Sequence, residues 1–185
     1  LMFGDRSFRE IGKSDPMFAA LVEKAGELPH VNGLALIGAD GVTLATSQGK
    51  DKYRAYDVSQ REYFRTVMAD PNVVSKVSDV IISRLSNKQT IMVSRKITTS
   101  TGHVLGVINA ALDIEYFNTL YGRLVSNRSL ETSLLRRDGS TLAQFPNADK
   151  STDLSDDIRP LLTVTDTTAT VDISEAGEER LAAVK

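Results

Sequence analysis

One short sequence pattern occurs twice in this chain, and the repetition constrains its fold more than any other feature. Residues 36–45 carry Asp40-Gly41 between two apolar stretches, and residues 135–143 carry Asp138-Gly139 in the same way, each followed by Thr-Leu-Ala. Asp-Gly between apolar runs predicts a β-hairpin with a type I′ turn, which needs positive φ at both central residues. The copies lie 98 residues apart, at positions 40 and 138. This spacing is too long for a solenoid repeat and predicts two consecutive modules.

Composition bounds the class of protein. The 185 residues are enough for one large domain or two small ones, and 41% hydrophobic with 25% charged residues is typical of a globular protein. A net charge of −2 argues against a nucleic-acid binder. The absence of Cys excludes thiol catalysis, disulfides and Cys-based zinc sites. No apolar stretch is long enough to span a membrane and no signal peptide is recognisable, so we expect a fragment whose flanking membrane segments lie outside it.

The first copy of the pattern lies within an alternation of helices and strands. Asp15 and Pro16 predict a helix start with Asp15 as N-cap, and Ser59 predicts the cap of a second, short helix. The strand over 104–114 is almost wholly apolar, which predicts a central position with both faces buried. The predicted elements are a helix ending near 28, a hairpin over 33–47, a helix over 60–69, strands over 77–83, 90–98 and 104–114, and a helix over 115–125.

We predict an α+β fold of two tandem PAS-like modules, each a mainly antiparallel sheet of about five strands flanked by helices. Residues 1–30 form an N-terminal helical stalk segment, 31–125 the first module and 126–185 the second. In the second module we expect strands over 130–136, 140–145, 168–173 and 180–184 and a short helix over 156–162. Matched to the first copy it lacks a last strand, so we expect it to be incomplete.

Three stretches resemble a known family. Residues 57–64, Asp-Val-Ser-Gln-Arg-Glu-Tyr-Phe, resemble the D-x-S-x-R-x-Y-F signature of the double Cache (PAS-like, PDC) sensor domains of bacterial histidine kinases, diguanylate cyclases and chemoreceptors. Residues 83–97 are similar to the family's middle strand pair, and 106–117 to its closing strand and linking helix. The resemblance implies a periplasmic receptor part anchored by flanking transmembrane helices, a homodimer in the full-length receptor, and a small-molecule ligand in the membrane-distal module.

The resemblance singles out the segment around Arg61. An Arg beside aromatic rings holds a carboxylate well, because it offers parallel donors while the rings exclude water. In amino-acid-binding and dicarboxylate-binding members the equivalent Arg contacts a ligand carboxylate, which makes Arg61, Tyr63 and Phe64 candidate ligand-binding residues. The alternative is an amphipathic helix in which the two rings pack and Arg61 pairs with Glu62 or Asp57.

Polar residues on apolar strands are further candidates. Ser94, Arg95 and Asn109 interrupt two strands, and a buried polar group without a partner costs about 1–3 kcal/mol. These residues therefore need partners, which a pocket ligand, water or one another would provide. Arg84 is a third basic candidate, although Arg84 and Arg95 could also be exposed strand-end residues. Asp113 shares a strand face with Asn109 by alternation.

One position departs from the family. Amino-acid-binding members have an Asp on the closing strand for the ligand's ammonium, and dicarboxylate-binding members have a Lys. The matching residue here is Ala111, while Asp113 belongs to the strand-to-helix junction. The resemblance therefore supports neither an amino acid nor a dicarboxylate, and leaves a small anion at Arg61.

Three functional hypotheses compete. The first is a ligand-sensing ectodomain that requires no cofactor. The second is a structural or dimerisation spacer, or a module that binds a partner protein, with its pocket closed by Met92 and aromatic rings. The third is an enzyme, which is disfavoured because the sequence has no G-x-S-x-G, P-loop or dinucleotide motif and its two His residues lack metal-ligand spacing. We therefore predict no catalytic residues and no metal site.

Overall fold

The structure, a computed structural model, describes residues 5–49, 55–84, 86–125, 132–136, 138–145, 169–175 and 178–184. The chain divides into two units, Leu1–Phe117 and Asn118–Lys185. No helix among the described residues is long and apolar enough to cross a membrane.

Two helices open the first unit. Helix α1 spans Asp5–Gly12 and α2 spans Asp15–Gly26. Ser14 joins them: its hydroxyl donates to the carbonyl of Ile11 at 2.6 Å and accepts from the backbone N–H of Met17 at 3.4 Å. Ser14 is therefore the N-cap of α2, and the prediction of Asp15 is wrong by one residue, because Ser14 has the extended backbone that a cap requires.

A five-stranded antiparallel sheet follows, in the order β2-β1-β5-β4-β3. The prediction of an α+β fold with a five-stranded sheet is confirmed, and β5 lies at the centre as its apolar sequence indicated. In chain order, the strands of the sheet and the helices that accompany them are β1 Val31–Gly38, β2 Thr43–Thr46, α3 Glu62–Ala69, β3 Ser75–Ile82, β4 Gln89–Thr98, β5 Val104–Asp113 and α4 Ile114–Val125.

Each face of this sheet has its own apolar cluster. On one face Leu34, Leu36 and Leu44 pack with Leu21 of α2 and Phe8 of α1. On the other face Ile37 and Val107 pack with three buried residues of the α3 region, Tyr63, Phe64 and Val67. Successive side chains of a strand point to opposite faces of the sheet, which is why residues of one strand belong to different clusters.

The first Asp-Gly hairpin has a longer loop than predicted. The N–H of Gly41 donates to the carbonyl of Gly38 at 2.9 Å, and the N–H of Gly38 donates to the carbonyl of Val42 at 2.9 Å. Gly41 has a φ of +83°, whereas Asp40 has no positive φ. The type I′ turn is therefore wrong here, and the hairpin has a three-residue loop closed by a left-handed Gly.

Helix α3 begins later than predicted. Its N-cap is Arg61, whose side chain makes no capping hydrogen bond. The prediction of Ser59 as cap is wrong, because the backbone N–H of Ser59 donates to the Asp57 carboxylate at 2.7 Å in a turn before the helix.

The described residues of the second unit form two antiparallel strand pairs. Strands β6 Thr132–Leu135 and β7 Thr141–Phe145 pair through the second Asp-Gly hairpin, and β8 Ala169–Glu175 pairs with β9 Glu178–Val184. This hairpin closes like the first, since the N–H of Gly139 donates to the carbonyl of Arg136 at 2.9 Å and Gly139 has a φ of +91°. The helix predicted over 156–162 lies outside the described residues.

Candidate functional site

A cavity of about 60 Å³ lies in the first unit, on the face of the sheet that α3 covers. This volume is enough for several water-sized groups. The described residues that line it come from the sheet, the segment before α3 and the end of β3 with the turn that follows. Those used below are Gly33, Ala35, Ile37, Tyr56, Arg61, Tyr63, Arg84, Met92, Asn109 and Ala111.

The start of α3 positions Arg61 at the cavity wall. The Arg61 carbonyl accepts hydrogen bonds from the N–H groups of Phe64 at 3.1 Å and Arg65 at 2.9 Å, which fixes its backbone. Its half-buried side chain donates to the carbonyl of Ile82 at 3.4 Å, and its guanidinium carbon lies 6.0 Å from the centre of the Tyr63 ring. A guanidinium has more N–H donors than these neighbours use, so Arg61 can also bind an anion.

Tyr63 presents a protonated phenol to the cavity. Burial raises the pKa of Tyr63, and the nearby cations Arg61 and Arg84 lower it only in part. The hydroxyl therefore remains a hydrogen-bond donor at neutral pH. The acidic neighbours offered as alternative partners of Arg61 have contacts of their own: Glu62 accepts from Thr66, and Asp57 accepts from Ser59.

A second Arg of the cavity wall, Arg84, contacts Tyr56, a lining residue that was not among the sequence-based candidates. Arg84 is exposed, and its Nη1 donates to the hydroxyl of Tyr56 at 3.5 Å. This hydrogen bond is the main reason that the pKa of Arg84 is raised, so the side chain stays cationic. The sequence marks Tyr56 as a site residue only by its being an aromatic residue in a polar loop, five positions before Arg61.

Asn109 is the most deeply buried polar group on the cavity wall. It is 1% exposed, and neither its amide oxygen nor its amide nitrogen has a hydrogen-bond partner. Its cross-strand partners are Ala35 on β1 and Ser94 on β4. The Ser94 hydroxyl is also fully buried without a partner, although Ser94 does not line the cavity.

The remaining predicted site residues lie elsewhere. Phe64, a residue of α3, is buried in the apolar cluster between α3 and the sheet. Arg95 is exposed and, following Ser94 on β4, points to the opposite face of the sheet. Asp113 accepts from the N–H of Glu115 at 3.0 Å at the start of α4 and lies 3.9 Å from the Lys88 ammonium. The structure thus brings together Arg61, Tyr63, Arg84 and Asn109, and places the other four off the cavity wall.

The chemistry of the wall is cationic and otherwise neutral. Among the described residues that line it there are two Arg and no Asp or Glu. Ala111 does line the cavity, with Gly33 and Met92 as its cross-strand partners. No group of His, Cys, Asp and Glu that could hold a metal is present among the described residues. The arrangement suits an anionic group at Arg61.

No family model matches the chain, and no curated protein matches it. Solved structures do. The extracellular domain of a protein described as the histidine kinase rpHK1S-Z16 is 26% identical with a TM-score of 0.67, and the match covers 92% of this chain and 70% of that one.

Two further structures match at lower identity. An extracellular ligand-binding receptor from Desulfohalobium retbaense is 17% identical with a TM-score of 0.66, over 91% of this chain and 30% of that one. The ligand-binding domain of the Pseudomonas fluorescens chemoreceptor CtaA, in complex with L-leucine, is 15% identical with a TM-score of 0.55, over 92% and 70%. The resemblance to Cache-like sensor domains is confirmed: the chain has the fold of the extracellular sensor domains of histidine kinases and chemoreceptors.

Proposed function

We propose that this chain, which has the fold of those sensor domains, is the ligand-sensing part of a bacterial transmembrane receptor and that its first unit binds a small carboxylate at Arg61. The observation that carries the proposal is the guanidinium of the half-buried Arg61 beside the Tyr63 ring, at the wall of a cavity that Arg84 also lines. A carboxylate there gains charge-assisted hydrogen bonds in surroundings poorer in water than the protein surface.

The comparison with CtaA supports this ligand class. That protein has the same fold and holds L-leucine, a small molecule with a carboxylate. The ligand of this chain need not be an amino acid, since Ala111 stands where amino-acid-binding members of the resembled family have an Asp. The carboxylate is the part of such a ligand that Arg61 can recognise.

The proposed role is to sense and not to catalyse. A ligand that binds one arrangement of a receptor dimer more tightly than the other shifts the population toward it. We place the first predicted module, residues 31–125, as the membrane-distal sensing module on the periplasmic side. The second predicted module, residues 126–185, is the membrane-proximal module that transmits. The stalk segment over residues 1–30 connects the signal to flanking membrane helices.

Thermal melts against a library of small carboxylates test the proposal. A ligand at a hundred times its Kd stabilises the folded state by about 2.7 kcal/mol. We expect at least one carboxylate to raise the melting temperature of the natural sequence and to have little effect on Arg61→Gln.

The matched control is Arg95→Gln. It removes the same charge from the face of the sheet that lies opposite the cavity, so it should retain the full shift. If no carboxylate stabilises the protein, or if both variants respond alike, the carboxylate site at Arg61 is wrong. A structural spacer is then the better account.

A further inference from the structure

The inner wall of the cavity contains a polar group that the proposed Arg61 contact does not explain. The Asn109 side chain is nine-tenths buried or more, lines the cavity, and has both its amide oxygen and its amide nitrogen unpaired. A buried polar group of this kind is strongly disfavoured unless it is hydrogen-bonded. The side chain donates through Nδ2 and accepts through Oδ1, so a single ligand group that satisfies both atoms must itself accept and donate.

The surroundings of Asn109 are apolar or uncharged. Ala35 lies opposite on β1 and Ser94 opposite on β4. The adjacent rows of the same face contribute Gly33, Ala111 and Met92 on one side and Ile37 and Val107 on the other. Lys96 is the charged group of the neighbouring row on β4, and its ammonium donates to the carbonyl of Asp70 at 2.8 Å. A charged ligand group at Asn109 would therefore lose its hydration without gaining an opposite charge from these neighbours.

The hydrogen-bond types of an Asn amide differ in how well they match different ligand groups. An ammonium can use only the amide oxygen, and a carboxylate only the amide nitrogen. A hydroxyl or a carboxamide uses both, and either is small against the cavity volume of about 60 Å³.

We propose that Asn109 is a specificity-determining residue that binds a neutral hydroxyl or carboxamide of the ligand, so that the ligand is a small carboxylate carrying such a group. This inference rests on the proposed carboxylate site at Arg61. Its own content is the second contact: Arg61 holds the charged end, and Asn109 selects the uncharged polar end.

Calorimetric titration with matched pairs of acids tests it on the natural sequence. The pairs are glycolate with acetate, both enantiomers of lactate with propionate, 3-hydroxybutyrate with butyrate, and succinamate with butyrate. In at least one pair we expect the hydroxyl or amide acid to bind about tenfold to a hundredfold more tightly, because its partner leaves the Asn109 amide unpaired. L-Alanine, which replaces the hydroxyl of lactate by an ammonium, should bind no better than propionate.

The variant Asn109→Leu removes the amide and keeps similar bulk. It should abolish the preference within the pair by weakening only the hydroxyl or amide acid. Thr90→Val is the matched control, since it removes a buried hydroxyl of β4 that does not line the cavity, and it should keep the preference. The comparison of pairs on the natural sequence needs no variant, so it stands even if Asn109→Leu fails to fold.

The outcomes separate the two proposals. Equal binding within every pair, with binding still lost in Arg61→Gln, overturns the role of Asn109 and leaves the carboxylate site intact. Preferential binding of L-alanine overturns the neutral-group assignment in the same way. Failure of every acid to bind overturns both.

Discussion

Gly41 holds the hairpin against the segment that leads to Arg61. A Cβ on Gly41 would lie 2.6 Å from the Cα of Ser59, and the Gly41 carbonyl accepts from the N–H of Val58 at 2.9 Å. The close approach and the positive φ both require glycine here. The turn of the hairpin therefore fixes the backbone just before the candidate ligand-binding residue.

Three glycine-to-alanine variants separate these effects. Gly26→Ala has open space in α2 and should stabilise the protein by about 0.5 kcal/mol. Gly102→Ala also has open space but a φ of +86°, and should cost about 1–2 kcal/mol. Gly41→Ala should cost more than Gly102→Ala, because the collision with Ser59 adds to the strain. Chemical denaturation measures all three, and a Gly41→Ala variant as stable as Gly102→Ala would contradict the close approach.

At the scale of elements, the two hairpins differ in what their Asp contacts. Asp40 forms an ion pair of 2.6 Å with Arg9 of α1, which ties the first hairpin to the N-terminal helix. Asp138 pairs instead with Arg136 of its own hairpin at 2.7 Å. Hydrogen bonds from Arg136 and Ser140 lower the pKa of Asp138 strongly. Only the first copy therefore links its turn to another element through these pairs.

The Asp40–Arg9 pair predicts a pH dependence of stability. Partial burial raises the pKa of Asp40, but the hydrogen bonds from Arg9 and from the Val42 backbone outweigh it, and the net pKa is lowered from 3.8. The stabilisation is thus fully present above about pH 4 and is lost as pH falls through the lowered pKa. We expect Asp40→Asn to be less stable at pH 7 by at most about 1 kcal/mol, since both side chains are partly exposed.

The measurement is urea denaturation of both proteins from pH 7 to pH 2. The difference in free energy of unfolding should be constant down to about pH 4 and then shrink. Asp79→Asn, a change of charge on the edge strand β3, provides a comparison away from this ion pair. A difference between the natural sequence and Asp40→Asn that grows below pH 4 would contradict the ion-pair account.

The elements of the first unit were predictable because apolar periodicity and turn residues mark them clearly. The ends of the elements were less so. Asp-Gly fits both a two-residue loop and a three-residue loop with glycine last, and Ala39 reads as strand in the sequence although it belongs to the loop. Ser59 has the composition of a cap, but the Asp57 carboxylate binds its N–H first.

The candidate site was predictable where its residues interrupt an apolar pattern or belong to a motif. Asn109 is conspicuous as a polar interruption of an apolar strand, and Arg61 follows from a motif. Ser94 and Arg95 are adjacent on β4, so the pleat could place at most one of them on the cavity face. Tyr56 comes from a loop, where no periodicity indicates direction.

At the scale of the whole molecule, the two units share a hairpin but differ in chemistry. The features that support ligand binding, namely Arg61, Arg84, Tyr63 and Asn109 around one cavity, all belong to the first unit. The division into a sensing and a transmitting unit remains our proposal. It predicts that ligand binding depends on residues of the first unit.

The most direct measurement is a crystal structure of the protein with the carboxylate that stabilises it most in thermal melts. The account predicts electron density for the ligand in the cavity of the first unit, with its carboxylate oxygens within hydrogen-bond distance of the Arg61 guanidinium. Ligand bound in the second unit, or bound in this cavity with its carboxylate turned away from Arg61, would contradict it.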